Sequence, residues 1–177
     1  ENKAIYSLQK LVGWILNVYI EIFRGTPMIV QSMVIYYGTA QAFGINLDRT
    51  LAAIFIVSIN TGAYMTEIVR GGIQAVPVGQ MEASRSLGIS YGKTMRKIIL
   101  PQATKLMLPN FVNQFVIALK DTTIVSAIGL VELFQTGKII IARNYQSFKM
   151  YAILAVFYLV IITLLTRLAK RLEKRIQ

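Results

Sequence analysis

Gly72 to Pro101, GIQAVPVGQMEASRSLGISYGKTMRKIILP, is a polar stretch set between apolar runs, and it carries Glu82, Arg85, Lys93, Arg96 and Lys97. Ionisable groups at this density are too costly in hydrocarbon, so the chain must leave the membrane here and return to it. Pro77 and Gly79 stop the preceding helix, Gln80 to Leu87 reads as one short helix, Gly88 suits its C-terminal cap, and Tyr91 to Leu100 starts a second. Two short helices meeting at a glycine make a protruding knob. The small residues Ala83, Ser84 and Gly88 fit a surface that a partner's backbone approaches closely.

The chain has 177 residues, of which 55% are hydrophobic and 15% charged, far too apolar a balance for a water-soluble domain of this size. It is expected to be an all-α, polytopic integral membrane protein. Absence of cysteine and histidine excludes disulfides, thiol catalysis, the usual zinc sites and imidazole bases, so no metal site and no catalytic residue is expected. Gly88-Ile-Ser-Tyr-Gly92-Lys93-Thr94 imitates a phosphate-binding loop, but it is one residue short and follows a helix where that loop follows a strand. The net charge of +11 comes from basic residues clustered beside apolar runs, which the positive-inside rule explains without a nucleic-acid partner.

In Ile5–Phe23 the residues Leu8, Leu11, Val12, Ile15, Leu16 and Tyr19 recur at helical steps, while Gln9, Lys10, Asn17 and Glu21 interrupt the run. An amphipathic elbow in the membrane interface and a span with several polar residues are both readings of it, and the elbow is the preferred one. Arg24-Gly25-Thr26-Pro27 marks a helix start, with Thr26 as cap and Pro27 in the first helical position. About four membrane segments follow, over 27–43, 51–70, 106–134 and 150–168. Asn60, Thr61, Gly62 and Ala63 put small and polar groups near the middle of the second. Leu106–Leu119 is too short to cross by itself at about 1.5 Å per residue, and Lys120-Asp121-Thr122-Thr123 interrupts the segment before apolar residues resume, the pattern of a broken membrane helix. Gln135–Lys149 reads as a polar loop. If the basic tail Arg167, Lys170, Arg171, Lys174, Arg175 is cytoplasmic, tracing back places residues 72–101 and about 14 of the 19 Lys and Arg on that same side.

Glu82-Ala83-Ser84, Gly88, and Ile98, Leu100 and Pro101 fall at the spacing E-A-A-x3-G-x9-I-x-L-P, with Ser84 in place of the second alanine. In this the chain resembles the permease subunits of bacterial ABC importers. Arg24-Gly25-Thr26-Pro27 followed by Gln31, and the segment KDTTIVSAIGLVEL, resemble the polar-amino-acid branch, the histidine, glutamine and arginine permeases. The resemblance implies that the 72–101 loop is a coupling helix docking in a groove of a separate ATPase, through Glu82, Ala83, Ser84, Arg85, Gly88 and Pro101. It implies that ATP and Mg are bound by that ATPase and not by this chain, that a second permease subunit, identical or related, completes the pathway, and that an external binding protein delivers a polar amino acid. The setting it implies is the bacterial cytoplasmic membrane, with loop and C-terminus inside. Members of the family carry one more span ahead of the matching region, so a further first helix is expected upstream.

Within that frame Asp121 is the expected contact for a substrate ammonium, with Thr122 and Thr123 as hydroxyl partners and Asn113 one face below. A local Lys120–Asp121 pair at the outer mouth is the competing reading. Glu67 likewise has two: a boundary ion pair with Arg70, three positions on, or a lining position of the translocation path.

Overall fold

The computed structural model describes residues 3–176, and side chains from Ile5 to Lys174, so Glu1, Asn2 and the side chain of Arg175 lie outside the described residues. The expectation of an all-helical protein is borne out. The order is α1 (Lys3–Gly25), α2 (Met28–Met33), a π turn (Val34–Gly38), α3 (Thr39–Phe43), α4 (Arg49–Gln74), α5 (Val78–Ser86), α6 (Tyr91–Thr94), a second π turn (Met95–Ile99), α7 (Leu100–Asp121), a 3-10 segment (Thr122–Ile128), α8 (Leu133–Asn144) and α9 (Ser147–Ile176). Among the described residues three helical stretches are long and apolar enough to cross a membrane: Arg49–Gln74, Tyr91–Ile128 and Ser147–Lys174. Residues 28–43 form one irregular helix of about 24 Å at the usual rise, shorter than about 30 Å of hydrocarbon, because Pro27 delimits one end and Gly44, left-handed at φ 67°, the other.

The chain divides into two compact units, Glu1–Tyr64 with Asp121–Met150 and Met65–Lys120 with Tyr151–Gln177. In the first, Met28, Ala52, Ala53, Ile56, Val125 and Ile128 form a buried apolar cluster in which α2, α4 and the 3-10 segment meet. Beside α2 lies a polar knot. Asn60 and Gln31 are each only 6% exposed, and the Asn60 amide nitrogen donates to Gln31 Oε1 at 2.9 Å. Gln31 Nε2 in turn donates to Phe23 O, Thr26 O and Thr26 Oγ1, at 3.0, 2.9 and 2.8 Å. Asn60 Nδ2 also reaches Phe23 O at 3.2 Å. The end of α1, the start of α2 and the middle of α4 are thus held by two buried amide side chains. Nearby the Tyr19 hydroxyl donates to Ile59 O at 2.6 Å, and a Cβ on Gly62 would stand 2.9 Å from that hydroxyl, so glycine is what admits the tyrosine.

Local details differ from the sequence reading for identifiable reasons. Thr26 does not cap α2: its hydroxyl donates back to Ile22 O at 2.8 Å, closing α1, and the cap position is taken by Pro27, extended at φ −64°, ψ 135°. Of the apolar stripe on α1 only Tyr19 packs inward, whereas Leu8, Leu11, Val12, Ile15 and Leu16 are exposed within the chain. Most of the expected 135–149 loop is α8, whose start is fixed by Glu132: its carboxylate accepts Phe134 N at 2.8 Å and Gln135 N at 2.7 Å, favourable for an anion at a helix N-terminus.

In the second unit Val76, Ile99, Ala103 and Met107 form the core, with Ile73, Met81, Met95 and Phe111 packed on it. Pro101 has no N–H to give the carbonyl of Lys97, and the π turn immediately before it, closed by Leu100 N to Met95 O, widens the helix where the proline ring must fit. Tyr91 to Asp121 consequently runs on as continuous helix through Leu106–Leu119.

Replacing Asn60 by leucine leaves Gln31 Oε1 buried and unmatched, and is expected to destabilise the protein by about 1–3 kcal/mol. Asn60→Leu combined with Gln31→Leu should cost clearly less than the sum of the single changes, a thermal-melting double-mutant cycle in detergent being the check.

Candidate functional site

Two places gather the functional candidates, the knob between α4 and α7 and the break after Asp121. At the knob α4 ends at Gln74 and Pro77, at φ −55°, ψ 131°, caps α5 (Val78–Ser86). Gly88 takes φ +76°, its N–H bonds Arg85 O at 3.0 Å, and Ile89 N bonds Ser84 O at 3.2 Å. These paired bonds around a left-handed glycine form a Schellman ending, which satisfies the last carbonyls of α5 and turns the chain into α6. Arg85 steadies the corner by donating to Ile89 O at 3.2 Å.

Glu82, Ala83, Arg85 and Gly88 are exposed on this knob, together with Val78, Leu87 and Tyr91 at 70%, 80% and 59% exposure. Large apolar side chains so far out of the fold beside an acidic and a basic one make a surface suited to a partner. Ser84 departs from the surface expected of it: it is 3% exposed and its Oγ is 2.7 Å from Thr94 Oγ1. The physical reason is its position on α5, where the inward face takes Met81 and Ser84 while Glu82, Ala83 and Arg85 face away. Pro101 sits on α7, exposed, beyond the π turn and not on the knob itself.

At the break, α7 passes at Asp121 into the 3-10 segment Thr122–Ile128, which ends at Gly129 with φ 79°. Asp121 and Thr123 are half-buried and Thr122 is exposed, so the structure brings these three candidates together on one change of helix type. Thr122, Ser58 and Glu132 are the polar residues on a cavity of about 330 Å³ whose walls are otherwise Ala53, Ile54, Val57, Val125 and Leu130. Sequence reasoning did not single out Ser58 or Glu132; Glu132 stands in the quoted KDTTIVSAIGLVEL segment. Asn113 and Glu67 belong to the other unit. Asn113 is exposed on α7, and Glu67 Oε1 lies 3.2 Å from Arg70 Nε, the local pair that their spacing allows. Among the described residues no cluster of three or more acidic side chains is arranged to hold a metal ion.

Residues 4–177 match the family described as the binding-protein-dependent transport system inner membrane component. The chain belongs to this family. As such a transport component it is similar, at 42% identity over 170 residues, to the glutamine transport system permease protein of Escherichia coli strain K12, covering 93% of this chain and 78% of that one. It is 37% identical over 164 residues to the arginine transport system permease protein of Bacillus subtilis strain 168, with 93% and 75% covered. Among solved structures, that of an amino acid ABC transporter with histidines superposes with a TM-score of 0.88 at 42% identity, over 94% of this chain and 77% of that one. A transport component of this kind works with a separate ATPase and a substrate-binding protein.

Gly88→Ala forces a side chain into the left-handed region and is expected to cost about 1–2 kcal/mol. Gly79→Ala, inside α5 with open space around the new methyl, should leave the melting temperature unchanged or raise it slightly; melting curves of the two purified variants provide the comparison.

Proposed function

We propose that this chain is the permease subunit of an ATP-driven importer that carries polar amino acids across the bacterial cytoplasmic membrane. The observation that carries the reading is the likeness along nearly the whole chain to permeases of glutamine and arginine systems, joined to a knob that keeps the importer signature at Glu82, Ala83, Gly88, Ile98, Leu100 and Pro101. Two permease subunits line the path, and two ATPases, which bind the ATP and Mg, sit at the cytoplasmic side against the exposed face of α5. The basic tail and the 72–101 loop are on that side by the positive-inside rule. An external binding protein presents the amino acid at the opposite face.

In this scheme closure of the ATPases displaces Glu82–Gly88. The helix from Tyr91 to Asp121 carries that displacement to the break, where Asp121, Thr122 and Thr123 offer a carboxylate and two hydroxyls to the polar ends of a solute. Glu67, held by Arg70, serves the boundary of the path and not the solute.

The test is uptake of a panel of labelled amino acids into proteoliposomes of the assembly with its ATPase and binding protein, with and without internal ATP. Uptake of one polar group that requires ATP is expected; equal uptake without ATP would refute the importer reading. Glu82→Lys should reduce uptake at least tenfold while the ATPase still turns over, and full uptake in that variant would remove Glu82 from the coupling surface. Asp121→Asn should weaken uptake of cationic or zwitterionic amino acids roughly tenfold, scored against an otherwise unchanged melting temperature.

A further inference from the structure

Ser84 is the one place where the importer signature is broken, and it is also where α5 is tied to the helix that follows. Its hydroxyl lies 2.7 Å from that of Thr94, and Thr94 is completely buried. Three residues before Ser84 and one after Thr94, Met81 and Met95 pack on the same apolar core. Apolar contacts of that kind are non-directional and leave α5 free to roll on the helix beneath it, whereas a hydroxyl–hydroxyl bond demands a particular distance and angle. The backbone bond from Ile89 N to Ser84 O fixes the turn but not the rotation of α5's face relative to α6.

We propose that Ser84 and Thr94 form a latch that makes α5 and the helix beginning at Tyr91 move as one body. Ser84 is then a positioning residue: it aims Glu82, Ala83 and Arg85 at the partner without touching it. This function of the latch rests on the importer reading above. Losing the bond does not unfold the knob, because a serine or threonine within a helix can donate its hydroxyl to the carbonyl four residues back, Gln80 for Ser84 and Ser90 for Thr94, and the apolar core stays in place. What is lost is the stiffness between the coupling surface and the membrane helix.

The chain has no cysteine, so cysteines placed at the exposed Ser86 and Lys93 accept a pair of spin labels without further changes. In the assembled importer the distance between the labels is expected to be narrowly distributed. Ser84→Ala and Thr94→Val should each broaden it about twofold, and the swap Ser84→Thr with Thr94→Ser, which keeps both hydroxyls, should narrow it again. In unlabelled protein the same two single variants should import about threefold less amino acid per ATP hydrolysed, the factor that one hydrogen bond of ordinary net strength sets, and the double variant no less than either single one. An unchanged distance distribution, or a broadened one with an unchanged ratio of import to hydrolysis, overturns the proposal. If the wild-type assembly shows no ATP-driven uptake, the importer reading fails instead, and the label distances alone decide whether the latch exists.

Discussion

The pairing of Asn60 with Gln31 governs the first unit. In a membrane there is no water to take over a lost hydrogen bond, so a buried amide side chain must find its partners within the protein. Gln31 and Asn60 do so by collecting the carbonyls left open where α1 ends, at Phe23 and Thr26. The position of α2 follows from this, because Gln31 stands on its first turn, and with it the seating of Met28 against Ala52, Ala53 and Ile56. Many other apolar side chains face outward: Leu51, Ile54 and Phe55 on α4, and Phe157, Leu159 and Val160 on α9, are more than half exposed within the chain, as suits a surface turned to lipid.

Interruptions of helix are handled by one economical chemistry. Where proline removes a donor at Pro101, the preceding turn widens; where α7 stops, the chain tightens to 3-10 form and ends on Gly129; where α8 begins, Glu132 caps it. Hydroxyls of Thr39, Thr104 and Thr136 each donate to the carbonyl four residues back, so each finds its partner in the local turn.

How much of this was legible depended on whether the signal was local. The knob was readable because proline and glycine punctuate it, and the Schellman ending needs only a glycine at the right place. The break at Asp121 and the Glu67–Arg70 spacing were likewise written in neighbouring residues. The sequence does not place Ser84, because small residues suit both a surface approached by a partner and an inward face, and only the position of Thr94 ten residues on distinguishes them. The Gln31–Asn60 knot spans 29 residues, so both amides were visible as polar residues in apolar runs but their partnership was not. Residues 135–144 looked like loop because their polarity is high, and because glutamate is an uncommon cap for a helix start.

The 3-10 segment has a mechanical consequence. A residue in that form advances about 2.0 Å along the axis against about 1.5 Å in an α-helix, so the seven residues Thr122–Ile128 hold about 3.5 Å of extra reach. Rewinding them to α geometry would draw Gly129 towards Asp121 by that length without breaking the chain's covalent path or moving α7. The pitch of the break thus sets how far Gly129 stands from Asp121, by a length close to that of one amino-acid side chain.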